Sequence, residues 1–185
     1  LNPGDEVLIP TPYWVSYPDI VRLAGGVPVF VPTRPEDRYL LKPDQLKKAI
    51  TKKTKLLMFN TPNNPSGMAY SESDLTALSK VIEANPHVTV LDDGVYDMIM
   101  WSPEQYVNFR MVCPNIQNQV VLINSLSKTY AMTGWRVGYS VQNPDLTKLM
   151  SVVESQTTTC VNSIAQMAAV EALSSKQDAV FKMVA

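Results

Sequence analysis

The sequence predicts an α/β fold in three layers, with helices on both sides of a mainly parallel β-sheet. Short apolar runs alternate along the chain with longer segments of helical period, and this alternation is typical of parallel sheets. The runs are bounded by Pro, Gly, Asn or Asp, as expected for strands that are buried on both faces. The chain of 185 residues is long enough for one domain with a sizeable core.

Each element of this fold is predicted from local pattern. The strands are expected at residues 6–9, 27–31, 56–59, 88–91 and 120–123. The helices are expected at residues 15–24, 43–50, 71–84, 144–154 and 161–173, and residues 177–185 also have a helical pattern. Ser71 and Asp74 have the spacing of a capping box, and an apolar stripe of Leu75, Leu78 and Ile82 follows them. Pro144 opens the fourth helix, a position that suits proline.

Composition and charge exclude several function classes. The chain has 16 basic and 17 acidic residues, a formal net charge of −1 and no Lys/Arg cluster, so we expect no binding to nucleic acid or to anionic membranes. The longest apolar runs are far too short to span a bilayer. Cys113 and Cys160 lie far apart and lack a CxxC spacing, which predicts a cytoplasmic, reducing compartment and no metal site. The chain begins without Met and ends within a helical pattern, so we expect it to be part of a longer protein.

Four predicted strands are followed by polar, turn-forming segments. These segments are residues 10–14, 60–67, 92–96 and 124–128. The carboxyl ends of parallel strands meet at one edge of a sheet, where open α/β sheets bind their ligands. The sequence therefore predicts a ligand site formed by these four segments.

Lys128 is the residue of greatest interest, because it follows a strand expected to be buried. In a desolvated pocket the pKa of a lysine falls, and the neutral amine can then form a Schiff base. Ser125, Ser127 and Arg136 supply hydroxyl and guanidinium donors of the kind that bind a phosphate. For the Ser-x-Ser-Lys segment alone, a lysine paired with an acid is the more common explanation.

The other three segments each allow a structural and a functional interpretation. Asn64 lies in a proline-rich turn, and its amide either stabilises that turn or binds a ligand oxygen. Carboxylates at a strand end usually cap the next element, but Asp93 and Tyr96 also have the chemistry to bind a protonated ring nitrogen and a phenolate. Trp14 either packs in the core or stacks on a flat ring.

Taken together, these segments resemble the class I aminotransferases of the fold-type I superfamily of pyridoxal-phosphate enzymes. The resemblance runs from Pro3 to about Leu173 and rests on four motifs. The motifs are Pro-Gly-Asp-Glu-Val, Pro-Asn-Asn-Pro-Ser-Gly, Asp-x-x-Tyr and Ser-x-Ser-Lys-x-x-x-Met-x-Gly-Trp-Arg-x-Gly. Residues 13–18, 155–159 and 164–166 are similar to the prokaryote-type aspartate aminotransferase subgroup in particular.

The resemblance implies a role for each motif residue. Lys128 would bond to pyridoxal 5′-phosphate and move a proton during catalysis, and Asp93 would bind the pyridine nitrogen. Tyr96 and Asn64 would hydrogen-bond the phenolate oxygen of the ring. Asp92 falls one position early for the motif and is expected to cap the turn.

The same resemblance implies how the rest of the cofactor is held. Ser125 and Arg136 would bind the phosphate, with Ser127 as a less certain helper, and Trp14 would stack on the ring. Residues 1–185 would form the cofactor-binding large domain, without the N-terminal arm, the glycine-rich phosphate loop and the C-terminal small domain of the family.

The implied activity is transamination between an amino acid, aspartate or glutamate, and a 2-oxoacid such as 2-oxoglutarate, in a homodimer. The missing small domain would select the substrate, so an aromatic aminotransferase or a C–S lyase of the same fold remains an alternative. Another alternative is a non-catalytic aminotransferase-like domain. A third is that this segment is inactive by itself although the complete protein is active.

Overall fold

A computed structural model of the chain describes residues 1–101 and 105–185. Its strands are β1 (Glu6–Pro10), β2 (Val27–Val31), β3 (Thr54–Asn60), β4 (Thr89–Asp93), β5 (Val120–Ser125) and β6 (Gly138–Val141). They form one sheet in the order β2–β1–β3–β4–β5–β6. The first five strands are parallel and β6 runs antiparallel to β5. All five predicted strands are confirmed, whereas β6 was not predicted.

The helices are α1 (Tyr17–Leu23), α2 (Pro43–Ala49), α3 (Glu72–Glu83), α4 (Phe109–Val112), α5 (Leu126–Thr129), α6 (Pro144–Thr157), α7 (Ser163–Ser174) and α8 (Asp178–Val184). Short 3-10 helices lie at Pro35–Asp37, Pro114–Gln119 and Thr133–Trp135. The predicted helices are confirmed, although α1 and α7 begin two residues later than expected and α6 ends three residues later. The one-turn helices α4 and α5 were not predicted. No helix in the described part of the chain is long and apolar enough to cross a membrane.

Helix α3 forms where its capping pattern predicts. The Ser71 side chain accepts a hydrogen bond from the Asp74 backbone N–H at 3.2 Å, and the Asp74 carboxylate accepts one from the Ser71 N–H at 3.1 Å. These two bonds satisfy backbone donors at the start of the helix that would otherwise be unpaired. The predicted stripe of Leu75, Leu78 and Ile82 is fully buried. The local sequence therefore determines both the start of α3 and the face that it turns to the sheet.

Apolar residues on successive positions of each central strand point to opposite faces of the sheet. On one face, Leu8 and Leu57 belong to the cluster that contains the buried residues of α2, α3 and α4. On the other face, Ile9 and Met58 belong to a second cluster with Tyr17 and Val21. Helices thus cover both faces of the sheet, which confirms the three-layer α/β prediction.

Strand β2 differs from its prediction as a strand buried on both faces. It pairs only with β1 and lies at the edge of the sheet. Val27 and Phe30 are 46% and 42% exposed. A run of Val and Phe is compatible with either position, because β-propensity reports side-chain packing and does not distinguish an edge strand from a central one.

The register of the parallel strands aligns the polar residues at one edge of the sheet. Asn60, the last residue of β3, pairs with Asp93, the last residue of β4. Asp93 also pairs with Ile123 on β5, two residues before that strand ends. At the far side, Gly138 allows β6 to approach β5 closely, because a Cβ atom at this position would lie 2.8 Å from the backbone oxygen of Asn124. The four polar segments therefore meet at one rim, as predicted.

Candidate active site

A cavity of about 430 Å³ opens at the rim formed by the carboxyl ends of the parallel strands. It contains all eight residues singled out in the sequence. They are Trp14, Asn64, Asp93, Tyr96, Ser125, Ser127, Lys128 and Arg136. Tyr17 and Asn60, which sequence reasoning did not select, also line it. A larger open groove of about 940 Å³ lies beside it between β6 and α6 and shares Ser125, Ser127 and Arg136 with it.

Asp93, at the end of β4, is held by two donors. The Tyr17 hydroxyl donates to Oδ2 at 2.6 Å, and the Val95 backbone N–H donates to Oδ1 at 3.2 Å. Burial raises the pKa of Asp93, and these two hydrogen bonds oppose the rise because they stabilise the charged carboxylate. The result is an oriented acid at the floor of the cavity, with a pKa that remains above the ordinary value.

Asn64 and Tyr96 lie side by side on two different loops. The Asn64 amide Nδ2 donates to the Tyr96 hydroxyl at 3.3 Å, which leaves the tyrosine proton available for another acceptor. Asn60 fixes the loop that carries Asn64, since its Oδ1 accepts from the Asn64 backbone N–H at 2.8 Å. The Nδ2 atom of Asn60 donates to the Asp93 backbone oxygen at 2.9 Å. A buried asparagine therefore connects the two loops.

Lys128 lies on α5 and not on a strand-to-loop connection, and its side chain is exposed. This corrects the expectation of a desolvated lysine. The lysine lines the same cavity as Asp93 and Tyr96. Within residues 1–101 and 105–185 it forms no ion pair, so the pairing with an acid that the isolated motif suggested is absent there.

Ser125 both ends β5 and caps α5. Its Oγ atom accepts from the Ser127 backbone N–H at 3.1 Å and donates to the Val137 oxygen at 3.3 Å. A ligand phosphate would have to compete for that hydroxyl proton. Arg136 has a left-handed backbone with φ of 53° and donates through Nη1 to the Thr133 oxygen at 2.9 Å. The other N–H groups of its guanidinium form no ion pair in the described chain and can bind an anion.

Trp14 is 42% exposed, so the core-packing interpretation does not apply to it. Its ring meets that of Tyr17 edge to face, with centroids 5.7 Å apart. Its neighbour Tyr13 instead stacks on Phe30 at 5.1 Å. The two adjacent aromatic residues therefore have different environments, and Trp14 is the one that lines the cavity.

Asp92 has a structural role, although not within its own turn. Its Oδ2 atom accepts from the backbone N–H of Phe109, the first residue of α4, at 3.0 Å. The side chain is fully buried, and burial raises its pKa to about 7. It therefore caps a distant helix, whereas the sequence predicted a cap of the turn that follows β4.

The chemistry of the cavity suits a flat, anionic heterocycle better than a metal. No group of three or more His, Cys, Asp or Glu in the described part of the chain could hold a metal ion. The cavity instead combines one oriented carboxylate, one amine and one guanidinium with hydroxyl and amide donors. An acid suits a protonated ring nitrogen, and the guanidinium and hydroxyls suit a phosphate.

Comparison with known proteins gives consistent results along the entire chain. The family model described as aminotransferase class I and II matches residues 1–185. The aspartate/prephenate aminotransferase of Nitrosomonas europaea is 45% identical over 184 residues, which are 100% of this chain and 46% of that protein. The aspartate aminotransferase of Geobacillus stearothermophilus is 43% identical over 183 residues, 99% of this chain and 46% of that protein.

Solved structures agree with the sequence comparisons. The aspartate aminotransferase of Rhizobium meliloti superposes with a TM-score of 0.97 at 42% identity, over 100% of this chain and 46% of that one. The aromatic aminotransferase of Pyrococcus horikoshii gives 0.92 at 35% identity, over 100% of this chain and 48% of that one. The chain thus spans about half the length of the proteins that it matches.

Proposed function

The chain belongs to the family of class I and II aminotransferases, and we propose that the complete protein uses pyridoxal 5′-phosphate to transfer the amino group of aspartate or glutamate to a 2-oxoacid such as 2-oxoglutarate. One observation carries the proposal beyond family membership. The amine of Lys128, the carboxylate of Asp93 and the hydroxyl of Tyr96 line a single cavity, although they come from separate segments. Residues 1–185 are proposed to act as its cofactor-binding domain.

The residues of the cavity suit different parts of the cofactor. Asp93 would bind the ring nitrogen, and the Asn64–Tyr96 pair would bind the phenolate oxygen. Arg136 would bind the phosphate. When bound, pyridoxal phosphate supplies an electron sink for the bonds at the substrate's α-carbon, and a protonated ring nitrogen strengthens that sink. A carboxylate opposite that nitrogen keeps the proton in place because it favours the positive charge.

The remaining side chains position the cofactor and exchange protons. Ser125 and Ser127 would add hydroxyl donors to the phosphate site, and the exposed ring of Trp14 would cover one face of the cofactor. Lys128 would first hold the cofactor through Nζ. Once that amine is free, it can accept the α-proton of the substrate and return it, as a general base must. Its exposed position on α5 leaves room for this movement.

The names of two relatives suggest a second substrate that could accept the amino group. The proteins of Nitrosomonas europaea and Cereibacter sphaeroides are aspartate/prephenate aminotransferases, and they are 45% and 44% identical to this chain. We therefore propose prephenate as an alternative to 2-oxoglutarate. An aromatic aminotransferase and a C–S lyase are the remaining alternatives. A lyase would release an oxoacid without any acceptor, so omission of the 2-oxoacid distinguishes it.

The test uses the complete protein. Reduction with borohydride in the presence of pyridoxal phosphate, followed by peptide mapping, should place a pyridoxyl group on Lys128. Aspartate, glutamate, aromatic and sulfur-containing donors should then be screened against 2-oxoglutarate and prephenate. Bound cofactor with an unmodified Lys128 would refute the assignment, and a protein that binds no cofactor would refute the proposed function altogether.

We further propose a cytoplasmic homodimer. Both cysteines are free, which favours a reducing compartment. Helices α6 and α7 present a set of exposed apolar side chains, and such patches usually mark interfaces. They are Leu149, Val152, Val153, Ile164, Met167, Val170 and Leu173. Sedimentation of the complete protein should give twice its monomer mass; a monomer at micromolar concentration would contradict the dimer.

A further inference from the structure

Tyr17 makes the shortest contact to Asp93 in the candidate site. Its hydroxyl donates to Oδ2 of Asp93 at 2.6 Å across 76 positions of sequence. The tyrosine is the first residue of α1 and is only 5% exposed. It is anchored on the side of the sheet where Val7, Val21 and Met58 pack around it. The hydroxyl is therefore fixed beneath the carboxylate by the packing of an entire helix.

The two hydrogen bonds to Asp93 engage different oxygens of its carboxylate and come from different segments of the chain. Tyr17 engages Oδ2 from α1, and the Val95 N–H engages Oδ1 from the turn after β4. With one donor on each oxygen, rotation of the carboxylate would break both bonds. Each oxygen accepts more than one hydrogen bond, so the carboxylate can still bind a ring nitrogen in the cavity.

We propose that Tyr17 is a positioning residue, whose hydroxyl keeps Asp93 ionised and in one orientation before the cofactor binds. The inference rests on the proposed use of pyridoxal phosphate. It assigns a role to a residue of the segment 13–18 that lies outside the four motifs. Tyr17 acts through Asp93 and need not touch the ring. A preorganised acceptor of this kind binds without first losing rotational freedom, which favours affinity.

The electrostatics of the cavity floor agree with this role. Burial raises the pKa of Asp93, whereas the hydrogen bond from Tyr17 is the largest influence that lowers it. Burial and the adjacent carboxylate raise the pKa of Tyr17, so its hydroxyl remains a donor at neutral pH. Other titratable or charged groups contribute to the same environment. They are Asp92 on β4, Tyr96 in the following turn, Lys128 on α5 and Arg136.

The test measures the affinity of the complete apoprotein for pyridoxal phosphate as a function of pH. Protonation of Asp93 should weaken binding at low pH. We call this low-pH fall in affinity the acid limb of the pH profile. In Tyr17→Phe the carboxylate loses a hydrogen-bond donor, so the pH at which the acid limb occurs should rise by about one unit, the size expected for a hydrogen bond to a charged group. Ionisations of the free cofactor are the same in every experiment and cancel in the comparison.

Tyr70→Phe is the matched control. Tyr70 is 6% exposed, and its hydroxyl accepts from the Leu41 N–H at 2.7 Å, but it lies in the other core cluster. This variant should lose stability while its acid limb stays at the position of the wild type. In an Asp93→Asn background, Tyr17→Phe should cause no further shift. A purely structural role for Tyr17 would weaken binding equally at all pH values.

A second substitution avoids any loss of packing. Incorporation of 3,5-difluorotyrosine at position 17 makes the hydroxyl a stronger donor, so the acid limb should move to lower pH. Unchanged limbs in Tyr17→Phe and in the fluorinated protein would overturn the inference and leave the proposed function intact. Failure of the wild-type protein to bind pyridoxal phosphate would refute the proposed function, and the inference with it.

Discussion

The Thr129 hydroxyl donates a hydrogen bond to Oδ1 of Asp97 at 2.9 Å, and this contact joins the two segments that carry Tyr96 and Lys128. Each partner stands one position after a residue of the candidate site. The other oxygen of Asp97 accepts from the Asn124 amide at 2.6 Å. One carboxylate thus links α5 and the end of β5 to the turn after β4.

Asp97→Ala should lower the free energy of unfolding by about 2 kcal/mol, because Thr129 and Asn124 are 3% and 7% exposed and would lose their acceptor. Urea denaturation of the apoprotein measures this loss. The yield of pyridoxyl-Lys128 after borohydride reduction should fall as well, since α5 would lose its contact with the turn after β4. Asp145→Ala is the control, because its carboxylate is on the surface, where the side chain is 92% exposed. Equal stability of the two variants would argue against the bridging role.

Lys128→Ala should abolish transamination, because no other lysine among the described residues lines the cavity. Asp93→Ala should retain cofactor on Lys128 but lower the rate severely, since the ring nitrogen would lose its partner. Single-turnover rates with aspartate separate the two effects. Lys148→Ala, on the exposed face of α6, should behave like the wild type. A near-normal rate for Asp93→Ala would refute its assigned role.

The sequence was sufficient to predict the layers of the fold and eight of the residues that line the cavity. Buried parallel strands leave a strong local signal, as in the runs that became β3 and β4. Because such strands end at one edge, the residues that follow them are brought together by topology alone. Seven of the eight predicted residues belong to such segments, whereas Arg136 was predicted from its motif and the family resemblance.

The missed features depend on contacts that the local sequence does not encode. Strand β6 has four residues and begins at Gly138, and it exists because it pairs with β5. In the sequence, Tyr17 cannot be distinguished from an aromatic residue that only packs in the core. Its contact with Asp93 spans 76 positions of the chain. The desolvation of Lys128 was inferred from burial of the preceding strand, but Lys128 lies on α5 and is exposed. Tertiary arrangement determined each of these outcomes.

Asn64 and Tyr96 should act as a pair in cofactor binding. Their hydrogen bond of 3.3 Å is between neutral groups, so its expected coupling is about 0.5–1.5 kcal/mol. A double-mutant cycle with Asn64→Ala and Tyr96→Phe, measured as the dissociation constant of pyridoxal phosphate, determines that coupling. Asn63→Ala is a useful comparison, because Asn63 bonds to Ser66 in the same loop and to the Pro12 oxygen but does not line the cavity. Strict additivity of the Asn64 and Tyr96 effects would show that the pair does not act together.

Asp92 should make the stability of the apoprotein depend on pH. Burial raises its pKa to about 7, whereas the unfolded chain has the ordinary value near 3.8. Between these values the folded state binds a proton that the unfolded state has released, so the free energy of unfolding falls as pH rises through this window and levels off above it. The fall attributable to Asp92 is at most about 4 kcal/mol.

Asp92→Asn should remove this pH-dependent fall in the free energy of unfolding, so the variant should gain stability relative to the wild type from about pH 4 to about pH 7. Urea denaturation across this range measures the difference, with Asp178→Asn as an exposed control. Parallel stability profiles for wild type and Asp92→Asn would show that Asp92 stays ionised when the chain is folded.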